Sequence, residues 1–274
     1  MRRKVIITVA PVGSVPTKKD NPNTPITPRE IVDDVVECCR LGASVAHIHA
    51  RDDNGLATTD QARYGEIKGL IEKECGIIIQ LSTGARTGNL FERGACLDLK
   101  PEMASLSTGS SNFSNGVNFN PPELIEYLAA RMYDNGVVPE IEAFDISMVD
   151  NARFLLKRRV LRPPLNFNLV FHVPGSMSGS PKNLLHMVEI LPPESTFSIS
   201  AIGRMQTDLI AMGVILGGNV RVGLEDNLLY SYEDGTPGSN AMFVERAVRI
   251  IRELGREVAT PDEARKILQL CAKR

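Results

Sequence analysis

The chain lacks the features that would direct it to nucleic acid, a membrane or a secretion route. Its 31 basic and 33 acidic side chains leave a net charge of −2 over 274 residues, so it carries no electrostatic footprint for nucleic acid and no polybasic patch for a lipid surface. An anionic ligand must therefore be held by a local site. No apolar run approaches the length of a membrane span. The five cysteines, Cys38, Cys39, Cys75, Cys96 and Cys271, are odd in number and form no Cys-x-x-Cys pair. That argues against a disulfide framework or a thiolate zinc site and fits a reducing cytoplasm. Met1-Arg2-Arg3-Lys4 before the apolar residues 5–10 has the outline of a secretion signal, but the run is short, Pro11 ends it and no small-residue cleavage site follows. A first buried strand is expected instead. With no linker, low-complexity tract or composition shift, residues 1–274 are expected to form one domain.

Histidine is scarce too, with four in the chain, yet two of them sit in Ser44-Val45-Ala46-His47-Ile48-His49-Ala50-Arg51-Asp52. Side chains two apart on a strand share a face. His47 and His49 therefore present two imidazoles side by side among small and branched apolar residues, which is half of a metal site.

Short β-rich runs at 5–10, 44–49, 77–82, 103–107, 138–144, 165–171, 196–201 and 219–224 alternate with amphipathic stretches. Thr27-Pro28-Arg29-Glu30 and Thr260-Pro261-Asp262-Glu263 each open a helix with an N-cap, a proline at the first position and a carboxylate in the first turn. Helical patterns also cover 59–73, 121–133, 180–191 and 239–254. Eight such units predict an α/β fold, a single (β/α)8 TIM barrel. A doubly wound open sheet is the runner-up, but no Gly-x-Gly-x-x-Gly follows the first strand. The glycine-rich pieces Ser82-Thr83-Gly84-Ala85, Ser107-Thr108-Gly109-Ser110-Ser111 and Pro174-Gly175-Ser176 then become loops at the C-terminal rim, where barrel active sites are built.

In Arg221-Val222-Gly223-Leu224-Glu225-Asp226-Asn227, residues 221, 223 and 225 are expected on one face of the eighth strand, with Glu225 at the rim. The second and eighth strands flank the first in a closed barrel, so Glu225 is a natural third ligand to His47 and His49. Two His and one Glu suit zinc, with iron(II) or manganese as alternatives. The plainer alternative is two core histidines bonded to backbone. Ser82 and Thr108 precede glycine turns whose amides suit a carboxylate, although either hydroxyl could equally cap the following helix. Glu140 and Glu142 share a face of the fifth strand, where buried acids need a partner. Arg221 is that partner, and beside Asp226 it would hold a general base. His172 is a further rim candidate, His186 belongs on a helix surface, and the cysteines are expected to be packing residues.

Taken in order, Ala10-Pro11-Val12-Gly13-Ser14, His47-Ile48-His49-Ala50-Arg51, Gln80-Leu81-Ser82-Thr83-Gly84, Ser107-Thr108-Gly109-Ser110, Pro139-Glu140-Ile141-Glu142 and Arg221 to Asp226 resemble the β-keto acid cleavage enzymes, the family of 3-keto-5-aminohexanoate cleavage enzyme. The resemblance runs nearly full length. It implies a homotetrameric (β/α)8 barrel with Zn2+ on His47, His49 and Glu225, and acetyl-CoA as co-substrate. The implied reaction converts a β-keto acid and acetyl-CoA into acetoacetate and a new acyl-CoA. It casts Asp226, oriented by Arg221 and Ser82, as the base. Ser82, Gly84, Thr108, Ser110 and Glu142 become the substrate-binding set.

In one place the chain departs from that pattern. The family's namesake holds its substrate's ammonium with an acid in the loop after the first strand, whereas Gly13-Ser14-Val15-Pro16 offers none. A neutral or apolar β-keto acid is therefore expected. The rival readings are an amidohydrolase-type metal hydrolase, a CoA-independent aldolase or lyase, and a non-catalytic binding barrel.

Overall fold

The computed structural model describes residues 4–84, 89–113 and 116–270; Met1 to Arg3, Ala85 and Cys271 lie outside the described residues. Eight parallel strands close a barrel: β1 (Ile7–Val9), β2 (Val45–Ile48), β3 (Ile78–Leu81), β4 (Met103–Ser107), β5 (Val138–Ala143), β6 (Asn166–Phe171), β7 (Thr196–Ala201) and β8 (Asn219–Val222). β1 pairs with both β2 and β8, so the ends of those two strands converge as the sequence order predicts. This is the TIM-barrel fold.

Helices α1 (Pro28–Leu41), α2 (Gln61–Glu74), α3 (Pro122–Asp134), α4 (Ile146–Lys157), α5 (Pro181–Glu189), α6 (Gln206–Ile215) and α7 (Asn240–Glu253) follow β1, β2, β4, β5, β6, β7 and β8, while a 3-10 stretch (Leu90–Leu99) follows β3. Thr27 with Glu30 and Thr260 with Glu263 both form complete capping boxes, the latter opening α8 (Pro261–Ile267). No helix among the described residues is long and apolar enough to cross a membrane.

The period-two alternation of the strands sorts their side chains into two populations. Ile7, Val9, Ala46, Ile48, Ile79, Leu81, Ala104 and Leu106 pack outward against the helices in one large core. Ile6, Val45, Ile78 and Met103 form a smaller cluster with Ala264 and Leu268, so α8 plugs the bottom of the barrel. The next positions along the same strands are His47, Gln80 and Ser105, followed around the barrel by Glu140, Asn168 and Arg221, all buried. The barrel interior is thus apolar at its floor and polar above. That polarity sets the site at the C-terminal rim.

The eighth strand ends earlier than expected. Gly223 takes φ +145°, and a Cβ there would stand 2.2 Å from the Ala10 carbonyl oxygen, so the position requires glycine. The amides of Asp226 and Asn227 return to the Gly223 carbonyl at 3.1 and 3.0 Å, making residues 224–226 a turn. Glu225 therefore reaches the rim from a turn, which corrects its expected place on a strand face with residues 221 and 223.

Candidate active site

The ligand atoms of His47, His49 and Glu225 all lie within 4.8 Å of one another. Glu225 Oε1 is 3.4 Å from His49 Nε2, and its Oε2 is 3.7 Å from His47 Nε2. Among the described residues that Oε2 has no hydrogen-bond partner although it is buried, an uncommon state for a carboxylate oxygen unless something else binds it. Gly13 permits the packing, because a Cβ there would come within 2.6 Å of Glu225 Cγ.

Both imidazoles have their far nitrogen occupied. His47 Nδ1 is 2.6 Å from Gln80 Oε1, and His49 Nδ1 is 3.2 Å from Ser14 Oγ. Burial, with the Arg221 charge adding to it, pushes His47 down to about 3, so the ring is neutral and its Nε2 lone pair is available. Burial would raise Glu225, but Arg221, His49 and His47 override it and hold the carboxyl well below the usual range. Two imidazoles and an ionised carboxylate form a donor set that zinc or a similar divalent cation fits.

The charge count points the same way. Glu140, Glu142, Glu225 and Asp226 bring four acids together around Arg221. Among the described residues it is the only Lys or Arg within ion-pair distance of any of them. Arg221 grips Asp226 by two bonds of 2.9 Å, touches Glu225 Oε1 at 2.8 Å and reaches Glu142 Oε1 at 3.4 Å. Burial raises Asp226 and Glu142 above the ordinary carboxylate range and lifts Glu140 to about 7, with Arg221 opposing in each case. Two neighbouring carboxyls, Glu225 and Asp226, are thus driven in opposite directions. One is suited to ligation and the other to proton transfer.

A cavity of about 640 Å³ opens over this cluster. His49, Ser82, Gly84, Glu142, Arg221, Glu225 and Asp226 line it, and His47 sits directly behind Glu225. Ser82 Oγ accepts from the Gly84 amide at 3.1 Å, a bond that does not use the hydroxyl's own proton. Arg221 alone among the predicted orienting residues bonds Asp226; the hydrogen-bond partner of the Ser82 hydroxyl is Gly84. Thr108 and Ser110 are not brought to the cavity wall. The Thr108 hydroxyl donates to the Met148 carbonyl at 2.9 Å, and Ser110 Oγ accepts from the Asn120 amide at 2.8 Å. Neither caps a helix. His172 and His186 are exposed. Cys38 and Cys96 are buried, and Cys39 and Cys75 half-buried. Sequence reasoning missed Ser14, Gln80 and the rim residues Leu228, Leu229 and Tyr232. Gln80 was recoverable, since a lone amide inside the apolar run Ile77-Ile78-Ile79 to Leu81 is an unexplained buried polar group.

A TIM barrel with a His-His-Glu cluster able to hold a metal ion and an arginine-held aspartate at its C-terminal rim has the outline of an enzyme active site. The sequence pattern of the beta-keto acid cleavage enzyme family matches residues 4–270. The 3-keto-5-aminohexanoate cleavage enzyme of Acetoanaerobium sticklandii is 44% identical over 269 residues, covering 97% of this chain and 98% of that protein. The 3-oxoadipate:acetyl-CoA acetyltransferase of Cupriavidus necator is 38% identical over 274 residues, covering 98% and 96%. Among solved structures, the ternary complex of ObcA with a C4-CoA adduct and oxalate superposes with a TM-score of 0.75 at 26% identity, over 91% of this chain and 68% of that one. The chain belongs to the beta-keto acid cleavage enzyme family, and it is an enzyme of carbon–carbon bond cleavage.

Proposed function

We propose that this enzyme condenses a β-keto acid with acetyl-CoA and releases acetoacetate and a new acyl-CoA. The observation that carries the reading is the His47, His49 and Glu225 triad beside an Asp226 held in two bonds by Arg221, with His49, Glu225, Asp226 and Arg221 lining one cavity and His47 behind Glu225. A divalent cation on the triad, with zinc as our assignment, supplies Lewis-acid polarisation of a keto oxygen when bound. Asp226 takes a proton from the carbon between ketone and carboxylate, and Arg221 keeps the carboxylate aimed. The resulting carbanion attacks the acetyl carbon of acetyl-CoA, forming one carbon–carbon bond and expelling CoA thiolate. The thiolate adds to the original ketone, and retro-Claisen cleavage breaks the old carbon–carbon bond. Asp226 then returns its proton to the departing acetoacetate carbanion, so the enzyme ends unchanged. Ser82, with the Gly84 backbone, holds the substrate carboxylate, and Glu142 completes the wall. The chain acts as one catalytic domain, a homotetramer by family resemblance, in the reducing cytoplasm that its cysteine usage fits.

A panel of β-keto acids incubated with metal-loaded protein, with and without acetyl-CoA, tests the reaction. Acetoacetate should form only when the thioester is present, and turnover without it favours the hydrolase or lyase reading. Stripping the metal with a chelator, or replacing His49 with alanine, should abolish bound zinc and turnover together. Turnover surviving in the metal-free protein would sink the metal assignment.

We assign the substrate side chain to the uncharged class. Val15, Pro16, Val173, Pro174, Leu228 and Leu229 supply an apolar wall. Asp20 also borders the cavity, but its Oδ2 is taken by the Thr17 amide and hydroxyl at 2.9 and 2.7 Å. An unbranched 3-oxoacid should exceed its 5-amino analogue in kcat/KM by about tenfold or more, an ammonium facing that wall being poorly compensated. The opposite order in that comparison overturns the assignment.

A further inference from the structure

Glu140 is a buried acid that the reaction above does not use. It does not line the cavity, and among the described residues no Lys or Arg stands within ion-pair distance of it. Such a group is costly unless the structure needs it. What it faces is the side-chain amide of Gln80.

Gln80 lies level with His47 across β2 and β3, and it is fully buried. Its Oε1 stands 2.6 Å from His47 Nδ1. An imidazole that offers its Nε2 lone pair must carry its proton on Nδ1, and an acceptor at this position selects that tautomer. An amide turned half a rotation would present its NH2 group instead and favour the wrong tautomer. Gln80 Nε2 and Glu140 Oε2 are both buried without a hydrogen-bond partner among the described residues, so the acid is the group available to choose between the two orientations. In its ionised form Glu140 accepts and never donates; it draws the NH2 end of the amide toward itself and leaves the carbonyl for His47. His49 needs no such device, because its neighbour Ser14 is a hydroxyl that can rotate to pass its proton to the Gly84 carbonyl.

We propose that Gln80 and Glu140 are a positioning pair for His47, in which Gln80 fixes the ring proton on Nδ1 and Glu140 fixes which way the Gln80 amide faces. The proposal rests on the triad being a metal site. Neither residue touches substrate. Their effect appears in metal affinity and coordination geometry before it appears in turnover.

The test measures Zn2+ affinity by competition with a chromophoric chelator, and the Co2+ absorption spectrum as a report on coordination. Gln80→Leu should weaken zinc by roughly 10–100-fold and alter the cobalt spectrum. Glu140→Leu should weaken zinc in the wild-type background but add nothing in the Gln80→Leu background, where there is no amide to orient. Equal losses in both backgrounds would show Glu140 acting through its charge alone and overturn the pair. So would unchanged affinity in Gln80→Leu. If Gln80→Leu does not fold, Glu140→Gln carries the test: it should weaken zinc beside Gln80 but not beside Gln80→Glu, because a carboxylate has no second face to select. The same loss beside both again overturns the pair. A wild-type protein that takes up neither ion defeats the metal reading itself, and the pair with it. Normal wild-type binding with indifferent variants defeats the pair alone.

Discussion

Replacing Asp226 with asparagine is expected to leave zinc binding intact and to lower kcat by roughly 10²–10⁴-fold, the range for removing a positioned general base. The side chain keeps its shape and one oxygen for Arg221, so the fork at 2.9 Å is weakened and the wall of the cavity stays in place. What is lost is proton affinity. Burial raises Asp226 even though Arg221 opposes it, so its charged form at neutral pH is held at a cost to folding. The sign follows from linkage: an acid whose folded pKa lies above its unfolded value lowers stability wherever it is ionised. The uncharged asparagine removes that cost. The metal-free variant should therefore melt at the same temperature as the parent or higher while being catalytically crippled, the signature of a residue kept for function against stability. Calorimetry on the metal-free pair, with single-turnover kinetics on the zinc-loaded pair, separates the effects. Full turnover in the variant would move the proton transfer elsewhere. A large fall in melting temperature would make Asp226 a structural partner of Arg221.

Much of this arrangement is legible in the sequence because the barrel repeats one physical rule. Each strand alternates, and each connecting unit begins with a cap or ends at a turn. The two Thr-Pro openings, at Thr27 and Thr260, declare their helices through capping boxes that the structure completes. The pair at His47 and His49 is visible because two histidines of four fall two apart. Helix α6 is not visible in this way: its N-cap, Met205, offers no side-chain cap, and its apolar residues run around much of its surface. Helix α4 was within reach, since Asp145 caps it by accepting from the Met148 amide. The contact that turns Thr108 away from the cavity comes from this same helix, so missing α4 meant misplacing Thr108. Glu225 shows a different limit. Periodicity counts residues along an extended strand, whereas Gly223 leaves that path at φ +145°. Only glycine's lack of a Cβ against the Ala10 carbonyl permits the turn, and that contact lies far away in the chain. Sequence periodicity places Glu225 beside the histidines on a strand face, whereas the structure brings it there from a turn. Ser14 and Gln80 were hidden because each acts on a histidine through space, at separations of 35 and 33 residues.

Arg221→Met should produce the largest loss of stability of any single change at this site. The guanidinium is buried, and burial alone would lower its proton affinity, yet Asp226, Glu225 and Glu142 hold it well above its ordinary value. Methionine fills similar volume but leaves Asp226, Glu225 and Glu142 without their cation. Breaking a buried ion cluster by removing one partner costs about 3–5 kcal/mol, which for a chain of this size corresponds to a fall of roughly 6–20 °C in the melting temperature of the metal-free protein. Zinc should recover part of that loss, because ligand bound only to the folded state adds about 2.7 kcal/mol when present at 100 times its dissociation constant. The recovery should be larger in the variant than in the parent. Glu225 Oε1 is released from its 2.8 Å bond to Arg221, and the site has one more uncompensated negative charge to offer a divalent ion. Tighter zinc binding with no turnover is therefore the expected pairing, and simple misfolding cannot produce it. Arg221→Lys divides the two roles of the residue. It restores the charge and most of the stability, but a single ammonium cannot reproduce the two-pronged grip on Asp226, so kcat should remain depressed by about 10–100-fold from misorientation of the base. If the metal-free methionine variant melted with the parent, the three acids paired with Arg221 would not be ionised together, and the electrostatic case for a divalent cation would fall with that assumption.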